Sequence, residues 1–142
     1  MPAGYLLDTN VVSETRKRLA ARGVVTFFES VGAIALFISA LTLGELRKGV
    51  AARRRTDAAS ADQLGIWVDG IETTFADRVL PVDRAVARIW GEVSAGRTLP
   101  VIDTLIAATA LARGLTLVTR NTRDVIATGV ALLDPWQDNS LP

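Results

Sequence analysis

Three acidic residues far apart in the chain, Asp8, Glu45 and Asp103, each stand beside an apolar run that reads as a buried element. The chain contains no histidine and no cysteine. That excludes Ser-His-Asp and Cys-His nucleophilic catalysis, histidine acid–base pairs and ordinary His/Cys zinc sites. The remaining tools are carboxylates, Lys, Arg, Tyr, hydroxyls and oxygen-bound metals. Carboxylates gathered in one crevice repel and raise each other's pKa, and a hard divalent cation such as magnesium or manganese removes that cost. One or two such ions polarise a phosphodiester, activate water and stabilise the leaving oxygen without a histidine base.

Each acid also has a purely structural reading. Asp8 directly follows Leu6-Leu7 and is a good N-cap for the helix after it, although Asn10 serves that purpose equally well. Glu45 lies three residues after Thr42, the spacing of a capping box, which also places it on the first helical turn near a sheet edge. Asp103 suits the first turn of a helix through the macrodipole. Its surroundings, Val101 to Ala110, are so apolar that a carboxylate there needs a partner or an ion. Asn121 reads as a turn or cap residue, Asp124 as a solvated helix acid, and Thr119 as a hydroxyl able to support a ligating carboxylate.

The elements that must position these groups follow from the apolar pattern. Tyr5 to Leu7, Ile34 to Ser39, Leu115 to Val118 and Ala131 to Leu133 are short buried strands, and Val79 to Val82 is an edge strand because of Pro81. Helices are expected from Asp8-Thr9-Asn10 to about Arg18, over Val24 to Ser30, and from Thr42 through Arg53-Arg54-Arg55. Three more cover Ala61 to Ala76, Arg84 to Ser94 and Val101 to Arg113, the last closed by Gly114. The Arg53-Arg54-Arg55 run reads as a solvated helix end, with phosphate contact as the alternative. Strands alternating with helices give a parallel α/β sheet covered on both faces, and such sheets bind ligands beyond the carboxyl ends of their strands. Asp8 and Thr119-Arg120-Asn121 stand at two such ends.

With 142 residues, 49% of them hydrophobic and 22% charged, the chain suits one domain, and a net charge of +1 offers no bulk basic field. A nucleic-acid site must then be local. The uncharged run between Glu29 and Glu45 falls short of the roughly 20 residues that span a bilayer. No signal segment precedes Asp8, so the expectation is a cytoplasmic protein without membrane attachment.

These residues carry a resemblance. Leu6-Leu7-Asp8-Thr9-Asn10-Val11-Val12-Ser13-Glu14 resembles the opening motif of PIN-domain proteins, and Ser39-Ala40-Leu41-Thr42-Leu43-Gly44-Glu45-Leu46 resembles their second motif. Asp103-Thr104-Leu105-Ile106-Ala107-Ala108-Thr109-Ala110 and Leu117-Val118-Thr119-Arg120-Asn121 resemble the third and fourth, and Asp134-Pro135-Trp136 is similar to the ending of the VapC and FitB-like branch. Four motifs in order cover nearly the whole chain. The resemblance implies a single PIN domain over residues 1–142, a three-layer α/β/α fold with a small parallel sheet of four to five strands flanked by helices. It further implies a magnesium-dependent endoribonuclease, the toxin of a toxin–antitoxin pair, dimeric and inhibited by a VapB-type antitoxin. By this analogy Asp8 and Asp103 bind magnesium (manganese in its place), Glu45 is the third acid and Asn121 occupies the fourth catalytic position. The family's fourth position is often acidic, so Asn121 leaves the number of metals open, with Asp124 three residues on. A catalytically silent PIN module that binds RNA or a protein partner is the alternative.

Two other carboxylate chemistries do not fit. A haloacid-dehalogenase-type phosphatase needs Asp-x-Asp where this chain has Asp8-Thr9-Asn10. A phospho-acceptor receiver needs paired acids after the first strand and a lysine at a later strand end, but the only lysines are Lys17 and Lys48.

Overall fold

A computed structural model describes residues 4–137. Five short strands, β1 (Tyr5–Leu7), β2 (Leu36–Ser39), β3 (Val79–Leu80), β4 (Thr116–Val118) and β5 (Leu132–Leu133), form one parallel sheet in the order β3-β2-β1-β4-β5. The order reverses at β1, whose Leu7 pairs with Ile38 on one side and Val118 on the other. Ligands of open parallel sheets bind beyond such a reversal.

Because strand side chains alternate between faces, β1 feeds two cores. Leu7, Ile38 and Val118 meet Val11 and Val12 of α1 (Thr9–Glu14), Val24 and Phe27 of α2 (Arg22–Ser30), Leu46 and Val50 of α3 (Ala40–Arg54), and Val68 of α4 (Ala58–Thr74). Leu6 and Leu117 face the other way, onto Ile106, Ala107 and Ala110 of α6 (Val101–Arg113) and Val125 of α7 (Thr122–Val125). The alanines of α6 let that helix lie close over the sheet. Helix α5 (Arg84–Ser94) packs against α6, and the Trp90 indole N–H donates to Thr104 Oγ1 at 3.2 Å. The result is three layers, as the sequence implies.

The helix ends explain where expectation and structure part. Helix α5 starts at the Asp83 cap, and α6 stops at Gly114, whose φ of 65° is left-handed. Helix α1 ends at Glu14 instead of about Arg18. The Thr15 hydroxyl folds back onto the Val12 carbonyl, and the Glu14 carboxylate takes the Ala21 N–H at 2.8 Å and the Lys17 ammonium at 2.9 Å. Residues 33–35 form a 3-10 turn before β2, and the short α7 was not anticipated. The basic run closes α3 as expected, with Arg53 donating to Ser60 Oγ and Arg54 to Asp62 of α4. Among the described residues no helix is long and apolar enough to cross a membrane.

Candidate active site

Asp8 emerges at the carboxyl end of β1, still tied to the sheet by its N–H to the Val118 carbonyl at 2.9 Å. It caps α1, with Oδ1 accepting the Thr9 N–H at 2.8 Å, so the capping role belongs to Asp8 and not to Asn10. Its other oxygen, Oδ2, accepts from Thr119 Oγ1 at 2.7 Å and from Asn10 Nδ2 at 3.3 Å. Thr119 therefore does support this carboxylate. Asn10 ties the two strand ends together, because its Oδ1 accepts the Arg120 N–H at 3.3 Å. Capping and site chemistry coexist in Asp8: one oxygen serves the helix, and the residue still lines the cleft.

Glu45 comes to the same place from α3. The capping-box reading fails, because the helix begins at Ala40 with Ser39 as its cap, the Ser39 Oγ accepting the Leu41 N–H at 3.0 Å. Thr42 is instead fully buried, and Glu45 points across the sheet end to Thr9. The Thr9 hydroxyl bridges Glu45 Oε1 and the Thr42 hydroxyl, the latter at 3.1 Å. Asp103, in the first turn of α6, is half-buried, and its carboxylate accepts no hydrogen bond among the described residues. Asn121 is the N-cap of α7 without a side-chain capping bond, so its amide is left to the cleft.

These side chains share one open cleft of about 280 Å³, lined by Asp8, Thr9, Asn10, Ser13, Glu45, Asp103 and Asn121. All four predicted site residues are brought together. Ser13 was not foreseen; its signal is its place one helical turn after Thr9, on the same face of α1. Asp124 does not line the cleft, yet it lies near enough to act on Asp103 electrostatically.

No Lys or Arg side chain lines the cleft, and the acids there feel one another's charge. Asp103 is pushed up to about 6, first by burial and then by the negative charges of Asp8, Glu45 and Asp124. Burial also raises Asp8; hydrogen bonds from Thr119, Thr9 and Asn10 oppose it, and Glu45 adds to it. An all-oxygen donor set, negatively charged and unneutralised, suits a hard divalent cation. Among the described residues no three acids are already drawn together as a metal cage.

A family model described as the PIN domain matches residues 5–128. The chain is 34% identical to Toxin FitB of Neisseria gonorrhoeae over 142 aligned positions, covering 94% of this chain and 99% of that protein. It is also 34% identical to VapC ribonuclease Y4jK of Sinorhizobium fredii, covering 93% and 97% of the two chains. The crystal structure of FitAcB from Neisseria gonorrhoeae superposes with a TM-score of 0.85 at 34% identity, covering 94% of this chain and 99% of that one.

Proposed function

Because this chain belongs to the PIN-domain family, we propose that it is an endoribonuclease toxin of a VapBC-type toxin–antitoxin pair, acting in the cytoplasm through a magnesium-assisted carboxylate site. The observation that carries this reading is the convergence of Asp8, Glu45 and Asp103, from three separate elements, on one cleft that no Lys or Arg side chain lines. Asp8 and Asp103 hold the metal, and Glu45, oriented by Thr9, is the third acid. When bound, the ion supplies Lewis acidity to an RNA phosphodiester. The chain's own groups do the rest. Thr119 and Asn10 fix the orientation of Asp8, and the Asn121 amide and Ser13 hydroxyl offer neutral polar contacts to the substrate backbone. The names of two relatives, a toxin and a ribonuclease, and the likeness to a structure of a member of the VapBC family of toxin–antitoxin systems support the reading. An antitoxin of VapB type is the corresponding partner, and a homodimer the expected assembly.

The test is cleavage of RNA by the purified chain with magnesium and with the metal chelated. Wild type should cleave only with the metal. Asp8→Asn and Asp103→Asn should keep the fold by circular dichroism and lose at least ~100-fold in rate, at or beyond the 10–100-fold typical of groups that merely support a ligand. Unimpaired cleavage by either variant at limiting magnesium removes the site assignment, and a well-folded wild type inert on all RNA points to a silent binding module.

A further inference from the structure

A second cleft, of about 350 Å³, adjoins the acidic one and shares Thr9, Ser13 and Glu45 with it. Its remaining walls have a different chemistry. Arg16 and Lys17, just past the end of α1, supply positive charge on one side, and Trp67 of α4 supplies an aromatic surface. Arg16 makes no ion pair among the described residues, and Lys17 pairs with Glu14 while staying largely exposed. Trp67 is half-buried, anchored in the core beneath. The space falls in the range of small-ligand pockets, roughly 300–1,000 Å³.

Gly49 of α3 lines the same cleft. Glycine inside a helix costs about 1 kcal/mol relative to alanine. Neither packing nor backbone calls for it here, because a Cβ at Gly49 would meet nothing within 4 Å and its φ is not positive. What the missing side chain does provide is open space in the cleft.

A cationic wall, an aromatic wall and continuity with a phosphodiester-cleaving site match the two halves of one nucleotide. We propose that this cleft is a nucleotide subsite for the RNA substrate, in which the base next to the scissile bond lies against Trp67 and its phosphate meets Arg16 and Lys17. The inference rests on the ribonuclease reading. It also accounts for how a nearly neutral chain with an acidic centre holds a polyanion: the metal serves the scissile phosphate, and the basic wall serves its neighbour.

The test is steady-state cleavage of a labelled single-stranded RNA under saturating magnesium. Gly49→Leu fills the cleft from an exposed helix position one turn after Glu45, whose carboxylate it leaves in place. It should raise KM about tenfold with kcat nearly unchanged, the signature of lost substrate binding. Trp67→Leu should do the same, and the double variant Arg16→Ala, Lys17→Ala should show a shallower dependence of KM on salt. A Gly49→Leu protein that folds and keeps the wild-type KM overturns the subsite. If wild type cleaves no RNA, the ribonuclease reading fails first and the subsite with it.

Discussion

Asp8 and Asp103 face the same cleft but are treated differently by their neighbours. Asp8 is tied down by three donors, whereas Asp103 has none among the described residues and feels burial and three other acids. This contrast gives a pH signature. The folded Asp103 carboxyl titrates near 6, against an ordinary value of 3.8. Between about pH 4 and 6 the folded chain therefore holds a proton that the unfolded chain has lost. By linkage, stability of the metal-free protein falls as pH rises through that window, and the penalty persists above it. Glu14 and Asp83 are lowered instead, so their contributions vanish only as pH falls below the ordinary carboxylate values. The melting temperature of the metal-free chain relative to Asp103→Asn should thus decline from about pH 4 to 6 and then level, as differential scanning would record. A difference that stays constant with pH contradicts this account. The same residues show what was readable in advance. The acids were visible as isolated charges beside apolar runs, and Thr119 as a hydroxyl at a strand end. Ser13 was hidden because a serine in a helix looks alike whether it faces a cleft or solvent.

Elements whose boundaries are set locally were legible. Helices α5 and α6 begin and end where the apolar pattern and Gly114 predict, and Asp83 supplies the cap of α5. Other boundaries were not: α1 stops early because Glu14 reaches forward to Ala21, and α3 starts early because Ser39, the last residue of β2, doubles as its cap. Arg78, whose guanidinium donates to the Ala33, Leu36 and Thr74 carbonyls, joins the end of α4 to the start of β2, and no local pattern announces it. Two glycines separate the local and distant cases by experiment. At Gly23 of α2 an added Cβ would collide with the Pro135 carbonyl, so this helix lies against the segment after β5, where Trp136 stacks with Arg120 at 4.9 Å. Gly23→Ala should cost roughly 1–3 kcal/mol in urea unfolding, the usual penalty for overpacking. Gly49→Ala, with open space around it, should instead gain up to ~1 kcal/mol from helix propensity. Equal stability of the two variants would mean that the chain near Pro135 does not lie against α2.

On the scale of the whole molecule, a net charge of +1 conceals a segregation of charge. Acids line the cleft beyond the sheet's reversal point, while Arg16, Lys17 and Arg18 follow the end of α1, the first two on the wall of the adjoining cleft. Lys17 and Arg18 also border an open cleft of about 610 Å³ with apolar walls from Val24, Val25 and Phe28 and a highly exposed Leu19. Helix α4 leaves little apolar surface uncovered: Val68, and Phe75 just past its end, are buried within the chain, while Ile66 remains exposed. The homodimer expected from the family resemblance is checked by sedimentation, where a monomer at micromolar concentration would refute it. For the antitoxin, the acidic cleft and the apolar cleft suggest one device: an apolar segment that docks beside α2 and a basic residue that enters among the acids. Such a residue neutralises the same charges as a metal, so the two must compete. Magnesium should raise the melting temperature of wild type and raise that of Asp8→Asn much less, since stabilisation follows binding to the folded state. Inhibition by the antitoxin should weaken as magnesium increases, and it should survive deletion of the antitoxin's DNA-binding part. Equal stabilisation of wild type and Asp8→Asn removes Asp8 from the ligand set. Inhibition that ignores magnesium and requires the DNA-binding part places the antitoxin away from the acids altogether.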